Sequence, residues 1–153
     1  MIPEAVLWID PGDDTGLAWL LDHGTAFYAW EFKFFEAGDQ IEATCQQHGP
    51  RLAVGWERYD IRTRLPQTHA YDAIGIIAVT RRAVRRYGCQ VLDPAQQHTP
   101  TPAEHRELEA IGWWVKGRND AQSAAGHLLA WLRRSHNLPP REREILSAVR
   151  TTL

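Results

Sequence analysis

Cysteine is scarce in this chain. Cys45 and Cys89 are the two present among 153 residues, and their spacing matches no zinc-ligand pattern. Neither a disulfide framework nor a thiolate metal centre is expected, and a reducing, cytoplasmic setting follows. Long apolar runs are missing as well. No stretch approaches the ~18 consecutive apolar residues of a membrane-spanning helix. The N-terminus passes into a short apolar segment without a basic region or cleavage site. Neither a membrane partner nor a secretory leader is therefore expected. A surplus of positive charge is also absent: the formal net charge is −2, whereas a DNA-binding domain is often basic overall. Distribution qualifies that absence, because arginines cluster locally. Arg81, Arg82, Arg85 and Arg86 share one segment, Arg62 and Arg64 another, and Arg133 and Arg134 a third. Repeats and low-complexity tracts are lacking, and the length suits one domain spanning 1–153.

What is present reads as alternating short apolar runs and amphipathic segments. Residues 5–9 are almost wholly apolar, as a strand buried on both faces requires. A turn-rich stretch, Asp10-Pro11-Gly12-Asp13-Asp14-Thr15-Gly16, leads to a second run over 17–21. Residues 25–35 alternate, with Tyr28, Trp30, Phe32 and Phe34 on one face and Phe27, Ala29, Glu31, Lys33 and Phe35 on the other. These three runs form a meander. A helix over 36–48, a strand over 51–57, a long helix over 68–87 and a short strand over 89–92 follow. A brief helix over 103–110, a strong one over 119–134 and a C-terminal helix after Pro140 complete the chain. This order predicts an α/β fold with a five-stranded mixed sheet, a three-strand meander plus two parallel strands, flanked by helices.

Acidic residues recur at the ends of these elements. Asp10 ends the first strand, Glu57 ends the fourth, and Asp120 opens the helix over 119–134. Alone, Asp10 before Pro-Gly reads as a turn residue, Glu57 as an ordinary charged strand end and Asp120 as a helix-start residue. Together they gain meaning, because neighbouring strands one and four bring Asp10 and Glu57 to the crevice where open α/β sheets bind ligands. Carboxylates ~4–5 Å apart repel by roughly 3–4 kcal/mol per pair at an effective dielectric near 20. A compensating cation is implied, and hard oxygen donors suit Mg²⁺ or Mn²⁺. Asn119 and Gln122 have capping-box spacing, which makes Asn119 the expected N-cap and leaves Asp120 in a first turn that favours its ionised form. Ser123 and His127 follow on the same helix face. Asp13 and Asp14 read as residues that solvate the turn.

The segments WIDPGDDTGLAWL, LAVGWERY and AIGWWVKGRNDAQSAAGHLLAWL resemble, in order, the first, second and last motifs of RuvC-type Holliday-junction resolvases, the last being nearest to phage-encoded members. The resemblance spans nearly the whole chain. It implies an RNase H-like fold, a homodimer, dependence on divalent metal and symmetric nicking of four-way DNA junctions. Asp10, Glu57 and Asp120 match the family's acidic positions. Ser123 stands where those relatives usually carry a second aspartate, a departure that weakens one ligand position. His127, one turn further along, is a candidate ligand, an outer partner of the metal or a DNA contact.

The expected chemistry is phosphodiester hydrolysis with two ions ~4 Å apart. Asp10 bridges the ions, Glu57 favours one and Asp120 the other. Lys116, Arg118, Arg62, Arg64, Arg81, Arg82 and Arg85 are the candidate nucleic-acid contacts, although such residues are commonly a solvated face. Trp113 and Trp114 can stack on bases or pack in the core. The segment around Ala73, Ile74, Ile76, Ile77 and Val79 is apolar on nearly every side, which points to burial on the sheet and on a partner copy. Ala73, Ile76, Ile77 and Val79 are the candidate dimer contacts. Rival readings are a nuclease for flap or RNA–DNA hybrid substrates and a non-catalytic branched-DNA-binding protein, for which Ser123 speaks. An ATP-binding domain of the sugar-kinase and actin type is disfavoured, because that architecture needs a second domain.

Overall fold

Strand β1, Ala5–Asp10, lies at the centre of the sheet, and the side chains of Ala5, Val6, Leu7, Trp8 and Ile9 are fully buried. An apolar run with no polar alternation can be satisfied only by cover on both faces. The structure, a computed structural model, describes the backbone of residues 1–58, 67–93 and 100–152 and their side chains except those of 67–70. On one side of β1, strands β2 (Asp14–Leu21) and β3 (Ala26–Lys33) continue as an antiparallel meander. On the other, β4 (Leu52–Trp56) and β5 (Gln90–Val91) run parallel to it, giving the order β3-β2-β1-β4-β5. This is the expected RNase H-like α/β arrangement. No helix among the described residues is long and apolar enough to cross a membrane.

Pleating divides the core into two layers. Leu7, Ile9, Leu17, Leu52, Val54 and Trp56 pack with helices α1 (Phe34–His48) and α2 (Gln67–Tyr87). Val6, Trp8, Ala18 and Leu20 face helices α3 (Pro102–Ile111), α4 (Asn119–Arg134) and α5 (Pro140–Thr151). Glycine shapes the second layer at two points. Trp8 lies flat across Gly55 of its neighbour β4, where a Cβ would strike the indole ring. At Gly16 of β2 a Cβ would collide with the backbone carbonyl of Asp120, so α4 lands on the bare backbone of the strand. Both Cys45 and Cys89 are buried free thiols.

Local expectations fare unevenly. Helix α1 begins at Phe34, two positions earlier than the sequence suggests, because Phe34 turns in to cover Gly75 of α2. The N-cap of α4 is Arg118, not Asn119, and no side chain of its own caps it; Gln122 instead donates to the carbonyl of Val115 at 2.7 Å. Trp113 is buried and stacks on Phe27 with ring centroids 4.4 Å apart, so it serves the core. Ala73 and Ile76 of α2 are buried inside the chain itself, and Ile77 packs partly on the same core. Helix α1 covers part of the face assigned to a partner, with Val79 half-buried over Gly38. Among the described residues, the large apolar side chains that α1 and α2 leave exposed are Phe35 at 82%, Tyr71 at 70% and Ile74 at 40%.

Replacing Gly16 with alanine forces a methyl group against backbone, which has no rotamer to yield. We expect Gly16→Ala to lower stability by about 2–3 kcal/mol, toward the upper range for overpacked sites, as a reduced urea midpoint with an unchanged slope. An unaltered midpoint would show that α4 does not rest on β2 at this glycine.

Candidate metal centre

The register of the sheet sets out the acidic residues in a row. Asp10 of β1 pairs with Gly16 of β2, and Gly16 pairs in turn with Glu31 of β3. On the opposite flank, the amide of Glu57 donates to the carbonyl of Ile9 at 3.0 Å and extends the parallel ladder by one residue beyond β4. Side chains at paired positions share a face of the sheet. Glu57, Asp10 and Glu31 therefore line one edge of the α4 layer, with a gap at Gly16. The first turn of α4 fills that gap and delivers Asp120 between Asp10 and Glu31.

Around Asp10 the site is tight. Its carboxyl hydrogen-bonds with Glu57 and Ser123, and its pKa is raised well above the usual carboxylate range, first by burial and then by the adjoining Glu57. Glu57 is 7% exposed, and its Oε2 lies 3.1 Å from Nε2 of His127, where the ring N–H donates to the carboxylate. His127 is itself buried and stacks on Trp8 at 5.9 Å, with the planes 18° apart. The Gly55–Trp8–His127 stack thus fixes Glu57 from behind. Ser123, one turn before His127 on α4, reaches Asp10 from the position where a second carboxylate was expected.

Asp120 forms the other half. Burial, then the charge of Asp10, then those of Glu31, Asp14 and Asp13 push its pKa up to about 7. The carboxylates of Asp14, Glu31 and Asp120 have ligand oxygens within 4.8 Å of one another, a spacing that can hold a divalent cation. Lys33 pairs with Asp14 at 2.6 Å, and Arg118 with Glu31 at 3.4 Å, so part of this charge is already balanced. Asp14 is thus more than a turn residue. Glu31 went unnoticed in the sequence, where a lone carboxylate on the inward side of an aromatic strand was its only signal.

The site residues predicted from sequence fare differently. Asp10, Glu57 and His127 meet at the carboxyl ends of β1 and β4, and Asp120 stands near enough to Asp10 to feel its charge. Lys116 is exposed on the loop before α4, and Arg118 is held over Trp30, 4.6 Å from the ring centroid. Arg81, Arg82 and Arg85 are exposed but lie on the final turns of α2, near the start of β5. There the backbone of Tyr87 adjoins Gly49 and Arg86 meets Glu42, at the end of the sheet away from the carboxylates. Arg62 and Arg64 lie outside the described residues.

A divalent cation suits this donor set. Asp10 and Glu57 are hydrogen-bonded carboxyls whose closeness, after burial, raises Asp10, and every donor of the group except His127 and Ser123 is a carboxylate oxygen. No family model matches the sequence, and no curated protein does. Solved structures do resemble it. Thermus thermophilus RuvC in complex with a Holliday junction substrate aligns with a TM-score of 0.57 at 15% identity, over 87% of this chain and 96% of that one. A further Thermus thermophilus RuvC structure aligns at 0.49 and 17% identity, over 87% and 97%. At such identity the likeness is one of fold.

The raised carboxyl groups give the metal-free protein a definite pH response. Asp120 ionises near pH 4 unfolded but near 7 folded, so between these values the folded state holds the extra proton. Stability should therefore fall as pH rises from about 4 to about 7. Scanning calorimetry in EDTA should show this decline flattened in Asp120→Asn. An identical slope in the variant would mean that Asp120 does not carry the effect.

Proposed function

We propose that this chain is a divalent-metal-dependent endonuclease that nicks branched DNA, with four-way Holliday junctions as its substrate class, and that it acts as a homodimer. The observation that carries this reading is the carboxylate group around Asp120: oxygens of Asp14 and Glu31 lie within ligand spacing of it, and the charge of Asp10, itself bonded to Glu57, acts on it. The motif resemblance and the shared fold support the substrate class. Asp10, Glu57 and Asp120 would hold Mg²⁺ or Mn²⁺, two ions per site, with Asp10 common to both. The bound ions would supply Lewis acidity at the phosphate and lower the pKa of attacking water.

The chain's own groups prepare that chemistry. His127 holds Oε2 of the Glu57 carboxylate, which also hydrogen-bonds with Asp10. Such an outer partner fixes the direction of a ligand and tunes its basicity. Lys116 is available to a phosphate near the carboxylates, while Arg81, Arg82 and Arg85 on the last turns of α2 would meet DNA arms further away, and Arg62 and Arg64 are proposed as further DNA contacts from the sequence alone. Arg118 contributes charge from a fixed position over Trp30. The exposed Phe35, Tyr71 and Ile74 give a second copy an apolar surface to join, and a two-fold pair of sites would match a two-fold substrate.

A second reading, a branched-DNA-binding protein without nuclease activity, is favoured by Ser123, since a hydroxyl is a poor substitute for a carboxylate ligand. Labelled four-way junction, linear duplex, flap and RNA–DNA hybrid, each incubated with Mg²⁺ or Mn²⁺, separate the possibilities. We expect paired symmetric nicks on the junction. Asp10→Asn should reduce them by more than the ~10–100-fold that loss of an outer partner costs a metal site, and His127→Ala by an amount within that range. Cleavage centred on flap or hybrid would move the substrate assignment. Tight junction binding with no cleavage in either metal would establish the binding protein.

A further inference from the structure

Helix α4 has an unusual entry. Its first residues carry Asp120, yet the N-cap Arg118 makes no side-chain capping bond, and nothing from the preceding loop replaces it among the described contacts. The first four amides of any helix lack intrahelical acceptors, and a capping oxygen ordinarily comes from the N-cap side chain itself. Here the acceptor comes from across the sheet. Oε2 of Glu31, on β3, accepts the amide N–H of Asp120 at 3.2 Å, and Oε1 of the same carboxylate accepts from Arg118 at 3.4 Å. Arg118 is fixed in turn over the Trp30 ring of the same strand. One carboxylate thus grips the residues on either side of Asn119. Its side chain is 14% exposed against 45% for Arg118, so the bond to the Asp120 amide is the better shielded of the two.

The position is set by the sheet. Glu31 and Asp10 flank Gly16 in register, and α4 rests on that glycine. Gly16 fixes the height of the helix above the strand. Glu31 fixes its rotation and its entry point, and hence where the Asp120 carboxylate stands relative to Asp10. Resting on the metal-site reading of Asp10, Glu57 and Asp120, we propose that Glu31 is a positioning residue. It caps α4 in trans and thereby aims Asp120 at the shared cation. In this proposal Glu31 serves as acceptor to two donors, one at each oxygen, and its part in the metal site is exerted through Asp120.

Two substitutions separate positioning from ligation and from mere folding support. Glu31→Ala removes the acceptor; Glu31→Gln keeps a neutral oxygen in place for the Asp120 amide but removes the charge a ligand would need. Amide exchange of metal-free protein and Mn²⁺ affinity, followed by electron paramagnetic resonance, are the readouts. In wild type the Asp120 amide should be protected. We expect Glu31→Ala to lose that protection and to bind Mn²⁺ about tenfold more weakly, the lower range for an outer partner of a metal site. Glu31→Gln should restore both.

An Asp120 amide that exchanges equally in wild type and Glu31→Ala would overturn the proposal. So would a Gln variant that protects the amide yet binds Mn²⁺ as poorly as the Ala variant, which would make Glu31 a ligand. A Glu31→Ala protein with lower melting temperature but undiminished Mn²⁺ affinity would reduce Glu31 to a folding contact. Absence of Mn²⁺ binding in wild type would instead defeat the metal-site reading, and the exchange comparison alone would then decide whether Glu31 caps the helix.

Discussion

The missing side chain at Gly16 is the constraint around which the carboxylate cluster is built. A helix ordinarily packs on a sheet at a distance set by the side chains between them. At Gly16 there is none, and the carbonyl of Asp120 descends to the strand backbone. Because Asp10 and Glu31 are the register partners of that glycine, the descent brings a third acidic residue between two others. Gly55 performs a related service one strand away. It admits the Trp8 ring, which backs His127, which in turn holds Glu57. Two backbone vacancies on one face of the sheet thus govern both halves of the cluster.

Such an arrangement works against the stability of the metal-free fold. Desolvation and mutual repulsion raise both Asp10 and Asp120, and each shift reports that the ionised form is disfavoured inside the protein. Lys33 and Arg118 relieve Asp14 and Glu31, at the outer side of the group. The inner pair, Asp10 and Glu57, is met by Ser123 and His127. The remaining electrostatic deficit therefore lies deepest in the crevice, where a small, hard cation gains most from oxygen donors.

The sequence was most legible where one physical rule dominated. A wholly apolar run identified β1, and the positions of Asp10 and Glu57 at strand ends followed from the parallel pairing of β1 and β4. Asp120 was legible as a helix-start carboxylate. Glu31 was not, since strand alternation gives its face but not its neighbour across Gly16, which depends on register. The N-cap was misassigned for a similar reason: local spacing favours Asn119, whereas the cap arrives from β3. The arginines of α2 illustrate another limit. Helix α2 sets out from the side of Glu57 and advances about 1.5 Å per residue, so its last turns stand at the far end of the sheet. Of the apolar residues of α2, Ala73 and Ile76 are buried and Ile74 is 40% exposed. Their division between the sheet, α1 and open surface depended on where α1 crosses, which composition does not encode.

The seating of α4 on Gly16 also imposes an order on biosynthesis. Glu31 and Asp120 are separated by 89 positions along the chain, and Glu57 and His127 by 70. Chains emerge from the ribosome from the N-terminus at about 5–20 residues per second, so the meander and the parallel strands are synthesised seconds before the helix that completes the crevice. A nascent or truncated chain lacking α4 has Asp10, Glu31 and Glu57 but neither Asp120 nor His127. The cluster therefore comes into being only once α4 has been made, and a chain cut short before α4 cannot assemble it.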